Sequence, residues 1–105
     1  MASDLIVVLC TAPDDATAAS LAKGLVEARL AACVNAVPGV VSTYRWQGAI
    51  ETDSEVQLLI KTRRERFQEV AEWLTEHHPY DVPEIVGVEV SSVSGAYGDW
   101  LLNQV

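Results

Sequence analysis

The sequence predicts an α+β domain of the ferredoxin-like kind, a βαββαβ two-layer sandwich with a long hairpin between strands two and three and a short C-terminal helix. Strand-like and helix-like stretches follow one another in that order along a single domain, residues 1–105. Two strand–helix–strand units also echo each other, since Cys33 follows Thr11 by 22 positions and Glu84 follows Thr62 by 22. Right-handed crossovers in both units put the two long helices on one face of the sheet.

The first strand and the first helix have clear boundaries. Residues 5–11 are apolar on both alternating faces, which is typical of a central strand buried on both sides. Pro13 ends this strand. Asp14 can cap the helix that follows, whose apolar residues recur at helical spacing until residues 30–32.

The second and third strands form a long hairpin that projects beyond the compact body. The second strand covers residues 32–42 and continues through 43–46, with a bend or bulge at Pro38-Gly39. Gln47-Gly48 marks the turn, and strand-like sequence resumes at 49–50 and runs to Lys61.

The second half of the chain repeats the helix and strand. Thr62 and Glu65 have the spacing of a capping box, which predicts the start of a helix. His77 and His78 fall in the last turn of this helix, and Pro79 ends it. A fourth strand and a short final helix are predicted at residues 85–90 and 97–102.

Composition points to an oligomer. Half of the 105 residues are hydrophobic, and a chain this short buries only a modest part of its surface alone. Since both long helices cover one face of the sheet, the other face is left bare although its strands are apolar. A bare apolar face usually marks an interface, the alternative being the scattered aliphatic residues of ordinary surfaces. We therefore expect a homo-oligomer.

Charge excludes two classes of partner. The chain carries 15 acidic and 7 basic residues, a net charge of −8, so we expect neither nucleic acid nor a membrane as partner. The apolar run at residues 5–10 is too short to span a bilayer, and the first residues carry no basic targeting region. Cys10 and Cys33 form no disulfide framework, which favours a reducing, cytoplasmic location.

The predicted topology gathers metal-binding residue types at one end of the sandwich. Cys10 ends the first strand, His77 and His78 end the second helix, and Glu84 precedes the fourth strand. A thiolate with imidazoles and a nearby carboxylate is a ligand set for copper or zinc. The structural alternative is that Cys10 is a small buried hydrophobe and that the histidines are favourable cations at a helix C-terminus.

Motifs along nearly the whole chain resemble those of the CutA divalent-cation tolerance proteins. The matching runs are VLCTAP at 8–13, LAACVN at 30–35, PGV at 38–40, YRWQG at 44–48, EV at 55–56, IKT at 60–62 and HHPYDVPEI at 77–85. The resemblance implies a ferredoxin-like homotrimer that binds copper ion (Cu²⁺), or other divalent cations such as zinc, and takes part in tolerance to them. It implies Cys10, His77 and His78 as metal ligands, and it implies no known enzyme activity.

Two other functional classes are open to a chain of this fold. PII-type signal proteins are also ferredoxin-like trimers, and such a module would bind a small molecule or partner in clefts between subunits. Tyr44 and Trp46 on the hairpin would suit such a cleft, and they could equally pack within the trimer. Acylphosphatases share the fold but need a basic phosphate-binding loop after the first strand. Residues 12–15 read Ala-Pro-Asp-Asp here, and no Ser/His/Asp constellation is apparent, so we expect no enzyme.

Overall fold

The computed structural model describes residues 2–105 and has the predicted ferredoxin-like architecture. Its elements are β1 (Leu5–Ala12), α1 (Asp15–Glu27), β2 (Cys33–Trp46), β3 (Ala49–Arg63), α2 (Phe67–His77), β4 (Val86–Glu89) and α3 (Gly95–Gln104). The strand order is β2-β3-β1-β4, and each pair of neighbours is antiparallel. The predicted element order, hairpin and C-terminal helix are confirmed.

The core lies between the sheet and the two long helices. Even-numbered side chains of β1 and β3 face the helices because successive strand residues point to opposite faces. The buried cluster contains Ile6, Val8, Cys10 and Ala12 of β1, Val56, Leu58 and Ile60 of β3, Ala18, Leu21 and Leu25 of α1, and Val70 and Leu74 of α2. Asp14 caps α1 as predicted, since its Oδ1 accepts a hydrogen bond of 2.7 Å from the Thr17 amide.

The β2–β3 hairpin gives the molecule its elongated shape of 45 × 26 × 23 Å. The pairing of β2 with β3 is interrupted by a bulge between Val37 and Val40, where Gly39 has φ +80°. Beyond the bulge, residues 40–55 form an arm that ends in the turn at Gln47 and Gly48. Both turn residues have positive φ, which is the conformation that tight hairpins with the native twist require.

The face of the sheet opposite the long helices is only partly covered. The short helix α3 packs Leu101 against Leu5 at one end of this face. Its carboxyl end is fixed by Arg63, whose guanidinium donates to the Leu102 and Val105 carbonyls at 2.7 and 2.9 Å. The rest of the face carries partly or largely exposed apolar side chains at positions 7, 9, 59, 86 and 88.

The start of α2 differs from the prediction. A single 3-10 turn, Arg64–Arg66, precedes the helix, and no side chain caps it. Thr62 is instead the penultimate residue of β3, and its buried hydroxyl donates a 2.7 Å hydrogen bond to the Leu30 carbonyl. The capping-box prediction is therefore wrong, because a tertiary hydrogen bond takes the hydroxyl that the local motif would have used.

Replacement of this hydroxyl tests its contribution. Thr62→Val keeps the shape of the side chain but removes the donor to Leu30, so we expect the free energy of unfolding to fall by about 1–3 kcal/mol in urea denaturation. Thr52→Val is the matched control in the same strand. Thr52 is exposed and meets only the Thr43 hydroxyl at 3.4 Å, so its loss should change stability by less than about 0.5 kcal/mol. Equal losses in the two variants would contradict this interpretation.

Candidate functional site

The end of the sandwich where β1 and α2 finish is held together by polar contacts. The ring of His78 donates from Nε2 to the Thr11 carbonyl at 2.7 Å, which joins the end of α2 to the end of β1. The Gln57 amide donates to the Cys10 carbonyl at 3.0 Å and to the Glu84 carboxylate at 3.3 Å. The topology therefore brings the four residue positions to one end of the fold, as expected from the order of elements.

The Cys10 thiol lies in the core. It shares a face of β1 with Val8 and Ala12, is fully buried, and makes only a weak 3.8 Å contact from Sγ to the Thr11 carbonyl. Burial, together with the negative charges of Glu84 and Glu55, raises the pKa of this thiol to about 12. The sulfur is therefore a protonated core atom at neutral pH, whereas metals bind the thiolate.

His78 has both ring nitrogens engaged. Nδ1 accepts a 3.1 Å hydrogen bond from the Tyr80 amide, which can only donate, so the proton of the neutral ring is on Nε2. That proton goes to the Thr11 carbonyl. The buried imidazole thus fixes the start of the loop at residues 78–84 onto β1.

His77 is the exposed member of the pair and has a different arrangement. Its Nδ1 donates to the Trp73 carbonyl at 2.8 Å, and its ring stacks on the Trp73 indole at a centroid distance of 4.0 Å. The indole in turn lies against α1 at Gly24, where an added Cβ would come within 2.5 Å of it. Because Nδ1 carries the proton of the neutral ring, Nε2 has a free lone pair. No residue in the range 2–105 donates a hydrogen bond to this nitrogen.

The three predicted ligands do not form one coordination shell within a single chain. Among residues 2–105, no three His, Cys, Asp or Glu side chains lie close enough together to hold a metal ion. Cys10 points to the core, His78 points to β1, and His77 points to solvent beside α1. Of the three, His77 alone offers a free donor atom in this conformation, and the set as metal ligands stays a prediction.

A cleft that the sequence did not predict lies on the face away from the long helices. It encloses about 720 Å³ between the base of the arm and the loop after His78. Its lining residues are Thr11, Ser42, Thr43, Tyr44, Trp46, Glu55, Tyr80, Asp81, Val82, Pro83 and Glu84. Three carboxylates and three aromatic rings are among them, and there is no basic side chain.

Two tyrosine–carboxylate pairs build the walls of this cleft. The Tyr80 hydroxyl donates to Oε2 of the buried Glu55 at 2.7 Å, and the Tyr44 hydroxyl donates to Asp53. The bond to Asp53 raises the pKa of Tyr44 to about 12, while burial and the Glu55 carboxylate raise the pKa of Tyr80 above its usual range. Both hydroxyls therefore stay protonated and donate at neutral pH.

Only part of the cleft was visible in the sequence. Tyr44 and Trp46 stand out as exposed hairpin aromatics, but Glu55 looks like any acidic residue of a strand. The Tyr80–Glu55 contact joins positions 25 residues apart, and no local pattern reports it. The pairing register of β1, β2 and β3 could have revealed the cleft. In this register, Tyr44, Glu55 and Thr11 all lie on the face that the long helices leave uncovered.

Comparison with known proteins settles the family. The family model described as CutA1 divalent ion tolerance protein matches residues 6–104. The chain belongs to the CutA1 family. The divalent-cation tolerance protein CutA of Pectobacterium atrosepticum is 49% identical over 98 residues, which are 93% of this chain and 89% of that protein. Its counterpart in Thermus thermophilus is 50% identical over 95 residues, 90% of this chain and 92% of that protein.

Solved CutA structures share the whole fold. CutA from Xylella fastidiosa superposes with a TM-score of 0.94 at 44% identity, covering 98% of this chain and 99% of that one. CutA1 from Oryza sativa gives 0.95 at 37% identity, with 100% and 97% covered. The likeness therefore includes the long hairpin and α3 as well as the central sheet.

The compartments named for relatives differ. A CutA protein of Arabidopsis thaliana is named chloroplastic, and a CutA structure from Archaeoglobus fulgidus is described as periplasmic. In the part of the chain that the structure describes, no helix is both long enough and apolar enough to cross a membrane.

The burial of Cys10 predicts that the two cysteines differ in reactivity and that the stability of the protein falls at high pH. We expect a disulfide reagent to modify the half-buried Cys33 in the native protein and to leave Cys10 unmodified until the chain unfolds. The pKa of Cys10 rises from its ordinary value of 9.0 to about 12 in the fold, so the unfolded thiol ionises first. Its contribution to stability is complete below pH 9 and is lost as the pH rises toward 12.

The check is to count reactive thiols in native and denatured protein, with Cys10→Ser and Cys33→Ser as the two variants. Rapid native reaction that disappears in Cys10→Ser would contradict the buried position of this sulfur.

Proposed function

We propose that this CutA1-family chain is a homotrimeric cytoplasmic protein that binds divalent cations, copper in particular, and takes part in tolerance to them. The observation that carries the proposal is family membership over residues 6–104 together with relatives named for divalent-cation tolerance. The net charge of −8 supports it, because a negative field raises the concentration of cations near the surface.

His77 is the residue best placed to meet an incoming ion. Imidazole nitrogen suits copper and zinc better than calcium or magnesium, and Nε2 of His77 has a free lone pair. Cys10 and His78 would have to give up a proton or a hydrogen bond before they could act as ligands. Since one chain holds no complete ligand set among residues 2–105, further ligands would come from water or from a neighbouring copy.

The trimer is supported by the surface that the long helices leave uncovered. Its exposed apolar side chains include Val86 and Val88 on the edge strand β4, and β2 forms the other edge of the sheet. Unpaired strand edges and a bare apolar face both favour association, since association removes them from water.

We also propose that the protein is not an enzyme. The turn after β1 places Asp14 and Asp15 at the start of α1, where a phosphate-binding loop would need positive charge. Turnover of generic phosphate or ester substrates that disappeared on a single substitution would overturn this.

A second candidate function is small-molecule binding in the manner of PII-type modules. The cleft of about 720 Å³ favours it, although the cleft is formed within one chain rather than between subunits. This candidate is compatible with cation tolerance, because the cleft and His77 are built from different residues.

Copper titration tests the metal proposal. We expect His77→Ala to weaken Cu²⁺ binding at least tenfold by calorimetry, because it removes the available imidazole. Bound copper should also quench the fluorescence of Trp73, which stacks on that ring. Glu76→Gln, an exposed change one position away, should leave the affinity within about twofold.

Cys10→Ser and the His77→Ala/His78→Ala double variant then decide whether the other two predicted ligands take part. If every variant binds copper as tightly as the parent, the proposed ligands are wrong. If the parent binds none, the metal-binding function itself fails.

The trimer predicts a specific response to charge on the uncovered face. Val88→Asp should convert the trimer to monomer, whereas Val26→Asp should leave it intact. The two valines are matched in exposure, at 45% and 43%, but Val26 lies on the outer side of α1. Light scattering coupled to size exclusion gives the mass directly. A monomeric parent, or equal dissociation by both substitutions, would contradict the assembly proposed.

A further inference from the structure

We propose that Trp73 is a positioning residue for cation binding, because it holds the His77 ring in one orientation and leaves Nε2 as the nitrogen that meets the ion. This role rests on the proposed metal-binding function and deepens it, since Trp73 itself carries no metal ligand. Three contacts lead to it. They are the bond from His77 to the Trp73 carbonyl, the stacking of the two rings, and the packing of the indole against Gly24.

The Trp73 carbonyl fixes one edge of the imidazole. Nδ1 of His77 donates to this oxygen at 2.8 Å, across one turn of α2. A carbonyl oxygen can only accept, so the proton of the neutral ring is on Nδ1 and the lone pair is on Nε2. Histidine ligands of metals usually have this arrangement, in which the second ring nitrogen donates to a carbonyl, a carboxylate or water. The donor chemistry of His77 therefore fits copper or zinc.

The Trp73 indole fixes the plane of the imidazole. The two ring centroids are 4.0 Å apart and the ring planes differ by 14°. Contact across the whole ring face restricts rotation about the side-chain bonds of His77, although this residue is exposed. Since the carbonyl and the indole belong to the same residue, Trp73 sets both the edge and the plane of the ring.

The indole is held in place by its own packing against α1. Trp73 is partly buried against the core, and Gly24 lies beside it in the interior of α1. A Cβ added at Gly24 would come within 2.5 and 2.6 Å of two indole carbon atoms. Glycine weakens a helix interior relative to alanine, so the close approach of the indole accounts for its presence here. The platform under His77 is therefore built by two helices.

Orientation has a large effect on affinity at a site with few ligands. Among residues 2–105, no three His, Cys, Asp or Glu side chains lie close enough together to share an ion. The shallow cavity beside His77 adds the hydroxyl groups of Thr17 and Ser20 as the further polar side chains of its lining. An imidazole that is already held in its binding orientation loses less conformational freedom when an ion binds, which raises the affinity.

The first test needs no metal. Nitrogen NMR spectra at mildly alkaline pH, where histidine is ordinarily neutral, distinguish protonated from unprotonated ring nitrogens. The chain has two histidines, and we expect opposite tautomers, with the proton on Nδ1 in His77 and on Nε2 in His78. Trp73→Leu removes the stacking face, so His77 should become a mixture of both tautomers while His78 stays unchanged. Trp73→Phe keeps a stacking ring and should resemble the parent.

The second test adds zinc and copper to the same variants. Zn²⁺ should shift the signal of Nε2 in His77 and leave the protonated Nδ1 in place. The Cu²⁺ affinity measured by calorimetry should fall about three- to tenfold in Trp73→Leu and stay within about twofold in Trp73→Phe. Trp100→Leu is the matched control, since it makes the same change at an exposed position of α3, on the opposite face of the sheet. It should leave the affinity within about twofold.

A substitution on α1 reaches the same contact without touching α2. Gly24→Ala displaces the indole, so it should change the His77 tautomer and the Cu²⁺ affinity in the same direction as Trp73→Leu. Lys23→Ala, an exposed change at the preceding position, should leave the tautomer as in the parent. Circular dichroism confirms that each variant is folded, and Trp73→Leu decides the question if Gly24→Ala is not.

Failure of the positioning role is distinguishable from failure of the proposed function. If copper binding depends on His77 but Trp73→Leu changes neither the tautomer nor the affinity, the positioning role is wrong and the metal-binding function stands. A proton on Nε2 of His77 in the parent, a zinc shift at Nδ1, or an equal loss of affinity in Trp100→Leu would also overturn it. A parent that binds no copper overturns the metal-binding function, and the role of Trp73 toward a metal with it, whatever the tautomer spectra show.

Discussion

The two-residue alternation along β1 is the constraint on which the rest of the structure depends. This strand pairs with β3 on one side and β4 on the other, so its side chains have only the two sheet faces to point to. Even positions pack against the long helices and odd positions face the uncovered side. A shift of one residue would exchange these sets, which would bring Cys10 to the surface and bury the Thr11 side chain under α1 and α2.

The same alternation gives two residues that are adjacent in the sequence different environments. Cys10 is a core residue with a protonated thiol, while the next residue, Thr11, lines the cleft with its side chain and accepts the His78 bond with its carbonyl. His77 and His78 show the corresponding division at the end of α2. The His78 ring bonds the loop to β1, whereas the His77 ring is exposed to solvent and stacks on Trp73. Neighbours in sequence therefore have unrelated roles.

The fold could be predicted from the sequence because its signals are local. The apolar run of β1, the Gln47-Gly48 turn and the Pro79 stop each mark an element without reference to distant residues. The candidate site was harder because its decisive contacts are long-range. Thr62 shows this most directly. Its local motif predicted a helix cap, but its hydroxyl donates a hydrogen bond to the Leu30 carbonyl, 32 residues away in the sequence. The fixed tautomer of His78 and the bond between Tyr80 and Glu55 likewise depend on chain pairing that local spacing cannot report.

The bulge between Val37 and Val40 sets the direction in which the arm leaves the sheet, because an extra residue in β2 bends the strand pair and increases its twist. Tyr44 and Trp46 lie beyond this bend, while the loop that faces them is bonded to the central strand through His78. The width of the cleft therefore follows from the angle at the bulge. A deletion that removed the extra residue would change this width without changing any of the lining residues.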